Sequence, residues 1–137
     1  MTKQPPRLGR VQLQIMQVLW RMDQATAREI TEQLNQKEQV AHSTVQTLLR
    51  KMEMKGAITH ELQDRTFIFR ALFQQTNVKE TALHDLLERV FGGSVYGLVS
   101  QLLRHEPIPP EEMTRLRGLI EKAQKDDNNE SQEREES

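Results

Sequence analysis

The segment from Thr26 to Lys55 constrains the fold of this chain more than any other. It opens with Thr26 and Glu29 at capping-box spacing, which predicts the start of a short helix because each side chain satisfies a free amide of the first turn. A polar connector follows over 35–40, and a further helix is predicted from about His42 to Lys55. The apolar residues of this helix lie at i, i+3, i+4 and i+7: Val45, Leu48, Leu49 and Met52. The segment therefore predicts a helix-turn-helix whose second helix turns a polar, basic face outward.

The flanking segments extend this unit on both sides. Apolar spacing predicts an earlier helix over 11–22, and Gly56 is a typical helix stop. Two alternating runs, 58–62 and 66–71, are separated by three polar residues and predict a β-hairpin. We expect its aromatic residues, Phe67 and Phe69, to cover the core rather than to stack on bases. A helix-turn-helix followed by a hairpin is the winged-helix arrangement.

Helices alone are predicted after residue 75. Two apolar stripes are separated by Gly92 and Gly93, and a third follows a proline-rich stretch over 107–110. No residue from Lys125 onward is apolar, so we expect that segment to be disordered. The predicted fold class is mainly α with a small β-hairpin: an N-terminal winged helix-turn-helix (8–75), a C-terminal three-helix dimerisation module (76–124), and flexible or disordered tails (1–7 and 125–137).

The apolar stripes of the rear module are too wide for fewer than 50 residues to bury. The spare surface includes Leu86, Val90, Leu98 and Leu102. A second copy of the chain is the simplest partner, which predicts a homodimer. Two alternatives remain open: the module packs against the chain's own first lobe, or it acts as a helical adaptor that binds another protein.

Charge is divided unevenly along the 137 residues. Residues 1–75 hold 11 Lys or Arg against 7 Asp or Glu, a balance of +4, whereas residues 76–137 hold 8 against 13, a balance of −5. A basic front half favours an approach to phosphates, and an acidic rear half is better placed away from them. The alternative is chance unevenness of solvated surface charge.

The polar face of the third predicted helix contains the candidate DNA contacts. Ser43 and Thr44 suit a phosphate at the helix start, and Arg50 and Lys51 suit salt-sensitive phosphate contacts. Gln46 can pair with the N6 and N7 atoms of adenine, and the methyl group of Thr47 can meet that of thymine, which predicts an A/T-containing half-site. At the hairpin tip Arg65 is a candidate for the minor groove. The alternative is an ordinary solvated helix face and a solvated arginine.

Several function classes are disfavoured. The chain has no cysteine, which excludes a disulfide framework, a thiolate metal site and a cysteine nucleophile. No two of its four histidines (His42, His60, His84 and His105) have helical ligand spacing, so we predict no metal and no cofactor. There is no phosphate loop, nucleophile elbow or HExxH motif, so we do not expect an enzyme. Without a long apolar run or an apolar leader, no membrane insertion is expected and a cytoplasmic location is predicted.

The run from Leu8 to Lys125 resembles the penicillinase-repressor family, the BlaI/MecI/CopY-type transcriptional repressors of bacteria. The matching pieces are QIMQVLW, TAREITEQL, VAHSTVQTLLRKMEMKGAI, the hairpin with FIFRA, and FGGSVYGLVSQLL. The resemblance implies a winged helix that binds a palindromic double-stranded operator, a helical module that dimerises, and repression by blocking promoter access. Thr44 and Thr47 fit the family pattern.

The chain also departs from this family. In the penicillinase and methicillin regulators, a protease cuts an Asn-Phe bond in the helix after the Gly-Gly pair, and the aligned residues here are Gln101 and Leu102. The resemblance thus implies a candidate cleavage position, and a membrane-bound sensor peptidase as a candidate upstream partner, although the residues at the bond differ. The copper-responsive branch carries a cysteine motif that this chain lacks. Family members often have a basic residue where Gln46 stands, so the operator is expected to differ.

Overall fold

The computed structural model of the protein describes residues 4–136. Its elements are, in chain order, α1 (Arg10–Met22), β1 (Ala25–Thr26), α2 (Ala27–Asn35), α3 (His42–Met54), β2 (Ile58–Gln63), β3 (Thr66–Ala71), α4 (Gln75–Phe91), α5 (Val95–His105) and α6 (Pro110–Glu136). The predicted fold class, mainly α with a small sheet and a winged helix at the front, is confirmed.

The chain divides into two compact units, the first ending at Val90 and the second beginning at Phe91. The sequence predicts a boundary after residue 75, and the structure differs. Val78, in the first turn of α4, is only 6% exposed and belongs to the core of the first unit. Apolar burial at this position attaches α4 to the winged helix, which a stripe pattern alone does not reveal.

The core of the first unit lies between α1, α2, α3 and the sheet. Its completely buried side chains include Ile15, Met16, Ile30, Val45 and Met52. The predicted capping box at the start of α2 is confirmed: Thr26 Oγ1 accepts from the Glu29 amide at 3.1 Å, and Glu29 Oε1 accepts from the Thr26 amide at 2.9 Å. The two side chains therefore fix the residue at which α2 begins.

Asn35 fixes the turn between α2 and α3. Its Nδ2 group donates to the carbonyl oxygens of Thr31 and Val40, at 2.9 and 3.1 Å, and its Oδ1 atom accepts from the Val40 amide at 2.8 Å. The two bonds to Val40 satisfy backbone groups that the connector leaves outside a helix. The Asn35 side chain thus links the end of α2 to the segment just before α3.

The sheet has three antiparallel strands in the order β1-β3-β2. The predicted hairpin is confirmed, with Gln63 opposite Thr66 and a two-residue turn between them. β1 has two residues, Ala25 and Thr26, which is too short to show an alternating pattern in the sequence. The expectation that both aromatic residues of β3 are core holds for Phe69, which is 7% exposed. It is wrong for Phe67, which is 49% exposed because it lies near the hairpin tip, opposite the exposed Leu62.

The second unit contains α5 and α6. Gly92 and Gly93 have positive φ angles of 57° and 82°, and Ser94 caps α5 by accepting from the Gly97 amide at 2.9 Å. α6 continues to Glu136, whereas the sequence predicts disorder from Lys125. The reason for the difference is that the segment is rich in good helix formers and has no Pro or Gly after Gly118. Among residues 4–136, no helix combines the length and hydropathy that crossing a membrane needs.

The predicted tails lie partly outside the described residues, namely at 1–3 and 137. Within the described part, the segment before α1 is held in place. Arg7 pairs with Asp85 of α4 at 2.9 Å, and the Arg7 carbonyl accepts from Lys55 Nζ at 3.3 Å. The chain just before α1 therefore contacts the C-cap residue of α3 and a residue of α4, where the sequence predicts a flexible leader.

Candidate nucleic-acid interface

One face of α3 is buried and anchors the helix, and most of its other residues are exposed. Val45, Leu49 and Met52 are at most 2% exposed, so their side chains fix the rotation of the helix about its axis. The six predicted contact residues of α3 are all exposed: Ser43, Thr44, Gln46, Thr47, Arg50 and Lys51. Since successive residues turn by about 100° on a helix, three of these side chains point most directly away from the core, Ser43, Thr47 and Arg50.

The start of α3 is uncapped by side chains. Ala41 is the N-cap residue and offers no hydrogen-bonding side chain to the first turn. The amides of that turn therefore remain available to an anion, and the hydroxyl groups of Ser43 and Thr44 lie in the same turn. This arrangement suits the phosphate contact predicted for those two residues.

His42, the first residue of α3, is tied to α2 through Thr31. The Thr31 hydroxyl donates to the Ala27 carbonyl at 2.8 Å, and the same oxygen lies within hydrogen-bond distance of His42 Nδ1, at 2.9 Å. The Nε2 atom of His42 is then the ring nitrogen left for other partners. The sequence analysis treats His42 only as a metal candidate and does not predict this positioning contact.

Thr47 uses its hydroxyl within the helix. Thr47 Oγ1 donates to the Ser43 carbonyl at 3.0 Å. This bond occupies the hydroxyl proton and restricts the side-chain rotamer. What Thr47 can offer to a base edge is therefore its methyl group, in line with the thymine contact predicted for it.

The hairpin turn has an unusual residue at its tip. Asp64 and Arg65 have φ angles of 50° and 65°, as the primed two-residue hairpin turns require. The second position of such a turn usually carries glycine, because an L side chain there costs about 1–2 kcal/mol. Arg65 nevertheless occupies it, with its side chain exposed. A locally unfavourable residue retained at a tip points to a role outside folding.

A groove of about 660 Å³ lies between α3 and the hairpin. It brings together three of the predicted contact residues, Gln46, Arg50 and Arg65. Ser43, Thr44, Thr47 and Lys51 do not line it, because they project from the outer and opposite sides of α3. The groove also contains residues that the sequence analysis misses as contacts: Arg28, His42, Glu53 and His60.

Glu53 is the one acidic residue among the described residues that line the groove. It is hydrogen-bonded to His60 Nδ1 of β2. The His60 ring in turn stacks on Phe67, with ring centroids 4.1 Å apart and planes inclined by 23°. The end of α3 is thus joined to the hairpin through an imidazole ring, and the carboxylate is held by a partner from the same chain.

The predicted dimer residues are accessible in the single chain. Leu86 and Val90 of α4 are 42% and 68% exposed, and Leu102 of α5 is 46% exposed, whereas Leu98 is half-buried. Gln101 and Leu102, at the candidate cleavage position, are both exposed and lie inside α5. These residues stay candidates for the roles that the sequence predicts.

A helix-turn-helix whose second helix borders an arginine-lined groove beside a hairpin is a winged helix of the DNA-binding class. The chain belongs to the penicillinase repressor family, whose family model matches residues 8–122.

Relatives of known role cover most of the chain. It is 24% identical over 119 residues to the penicillinase repressor of Bacillus licheniformis, covering 87% of this chain and 93% of that protein. It is 22% identical over 109 residues to the methicillin resistance regulatory protein MecI of Staphylococcus aureus (strain N315), covering 80% and 89%. Among solved structures, the DNA binding domain of the repressor BlaI is 24% identical with a TM-score of 0.49, covering 56% of this chain and 93% of that one. The same figures hold for the monomeric form of Bacillus licheniformis BlaI in complex with the blaP half-operator.

Proposed function

We propose that the protein is a homodimeric transcriptional repressor that binds an inverted-repeat operator with α3 in the major groove. The observation that carries the proposal is the exposed polar face of α3, held outward by a buried apolar stripe and bordered by the hairpin. Membership of the penicillinase repressor family supports the same function.

Each of the six predicted contact residues of α3 has a proposed task. Ser43 and Thr44 hold a phosphate at the uncapped helix start, and Arg50 and Lys51 contact phosphates along the backbone. Gln46 reads adenine and the Thr47 methyl group meets thymine. Arg65 at the hairpin tip enters the minor groove.

Two copies of the chain are proposed to bind together. Leu86 and Val90 of α4, and Leu98 and Leu102 of α5, are the residues that we propose a second copy covers. A twofold arrangement places the two α3 helices about 34 Å apart, one turn of DNA, or a multiple of that spacing. The operator is then an inverted repeat, because the two halves of the dimer read the same bases on opposite strands.

Release from DNA is proposed to follow an unidentified signal, with cleavage between Gln101 and Leu102 in α5 as the candidate event. A protease binds its substrate in an extended form, so α5 must first unwind. No side chain of α5 is buried, which keeps the cost of local unwinding low. A membrane-bound sensor peptidase is the upstream partner that we propose for this form of release.

Selection of bound duplexes from a random pool, followed by titration at several salt concentrations, tests the proposal. We expect an inverted repeat and an affinity that falls steeply with salt. Gln46→Ala should relax discrimination at one base pair by about 1–3 kcal/mol, whereas Arg50→Ala should weaken binding to all sequences. A helical adaptor would show no salt-dependent affinity for DNA, and that result would reject the repressor.

A further inference from the structure

Eight arginines lie between residues 4 and 90, and they fall into two groups. Five hold a carboxylate or side-chain amide of the chain: Arg7, Arg10, Arg21, Arg70 and Arg89. The other three have no such partner among the described residues, and all three line the groove beside α3: Arg28, Arg50 and Arg65. The unpaired guanidinium groups of the first unit therefore face one surface.

Arg28 is the member of this set that the sequence analysis does not single out. It is the second residue of α2, directly after the N-cap Thr26 and Ala27. The helix dipole disfavours a cation in this first turn. The neighbouring Glu29 is engaged by the amide of Thr26, and Glu32, one turn further on, forms no ion pair with Arg28 in the described part of the chain. Among residues 4–136, Arg28 therefore has no hydrogen-bond or ion-pair partner that offsets its position.

The position of Arg28 resembles that of Arg65 in energetic terms. One is a cation at the positive end of a helix, and the other is a side chain in a turn position that favours glycine. Residues that are locally unfavourable for folding are expected at functional sites, where they contribute to binding rather than to stability. An anion brought into the groove would satisfy both side chains together with Arg50.

We propose that Arg28 contacts a phosphodiester of the DNA backbone and anchors α2 to it while α3 reads the bases. The proposal rests on the function proposed above and adds a contact from a second helix. In a helix-turn-helix, the helix before the recognition helix crosses the DNA backbone, so its residues contact phosphates rather than base edges. A phosphate contact fixes the register of the reading helix but carries no sequence information itself.

The test compares Arg28→Gln with the unchanged full-length chain on two duplexes of about 30 base pairs, long enough for two half-sites. One duplex carries a sequence selected by the protein, and the other has mixed sequence. We expect the variant to bind both duplexes more weakly by a similar factor, about 8-fold per half-site at 0.1 M salt, as one counterion fewer is released. The salt slope should fall by about 0.9 per half-site.

Arg21→Gln is the matched control, because it also removes an exposed arginine but one that is bonded to Gln33 and does not line the groove. It should leave the salt slope unchanged. Thermal melts should show that Arg28→Gln is no less stable than the unchanged chain, which separates a lost contact from a lost fold.

Three results would overturn the proposal. An unchanged slope in Arg28→Gln, with the original chain still binding in a salt-dependent way, would remove Arg28 from the interface and leave the repressor intact. A loss confined to the selected sequence would show that Arg28 reads a base. If the unchanged chain binds neither duplex, the proposed function itself fails.

Discussion

Arg65→Gly should make the protein more stable and its DNA complex weaker. Arg65 has a φ angle of 65°, a conformation that costs an L residue about 1–2 kcal/mol. Glycine removes that cost, but it also gives the unfolded chain more conformational freedom, which lowers the free energy of unfolding by about 0.5–1 kcal/mol. Taken from the middle of these two ranges, the net expected gain is about 0.5–1 kcal/mol, and the resulting pair, Asp followed by glycine, is one that primed hairpin turns favour.

The gain should be visible in a thermal melt followed by circular dichroism. For a domain of 60–100 residues, about 1 kcal/mol shifts the Tm by about 4–8 °C, so we expect a rise of about 2–8 °C. The same substitution removes a charge that we propose contacts DNA. Anisotropy titrations should show about 8-fold weaker binding per half-site at 0.1 M salt and a salt slope lower by about 0.9.

Arg65→Lys is the control, because it keeps both the charge and the side chain at the strained position. It should change neither the Tm nor the salt slope appreciably. The reasoning would be refuted by a lower Tm in Arg65→Gly, since the turn would then not be strained by the side chain. An unchanged salt slope would show that Arg65 does not contact DNA, while the conclusion that the turn is strained would stand.

Three further predictions concern other parts of the chain. Glu53→Gln should strengthen DNA binding several-fold in anisotropy titrations, since it removes the carboxylate lining the groove while keeping an acceptor for His60; weaker binding would contradict this account. Leu98→Asp should give monomers by light scattering and lose affinity for a two-half-site duplex, and a persistent dimer would exclude this surface. Asp85→Asn should lower the Tm at neutral pH. Although burial opposes ionisation, hydrogen bonds and charges from Arg89 and Arg7 lower the pKa of Asp85, so its stabilisation is present above pH 3.8 and lost as the pH falls further through the folded-state pKa. A Tm difference unchanged under acid conditions would disprove this origin.

Elements with a strong local signal were predictable from the sequence. The capping box at Thr26 and Glu29, the apolar stripe of α3 and the hairpin are each set by residues close together in the chain. Elements that depend on distant contacts were not predictable. β1 exists only because Ala25 and Thr26 pair with β3, more than 40 residues away, and α4 joins the first unit through the burial of Val78 and the pairing of Asp85 with Arg7.

The residues of the candidate interface likewise include some that the sequence predicts and some that it does not. The exposed side of α3 follows from helical periodicity, so Gln46, Thr47 and Arg50 could be proposed from the sequence. Arg28 could not, because which residues of α2 border α3 depends on how the elements pack, and Glu53 could not, because which side of α3 faces the hairpin depends on that packing too. The pairing of Glu53 with His60 likewise joins a helix to a strand.

The sequence by itself determined the class of this protein, since local periodicity, capping and turn chemistry specify a winged helix and its reading face. Tertiary structure decided which charges share the groove, because a charge is paired or left free only once the elements have packed. Five arginines of the first unit find partners and three do not, and no spacing along the chain distinguishes Arg28 from the five.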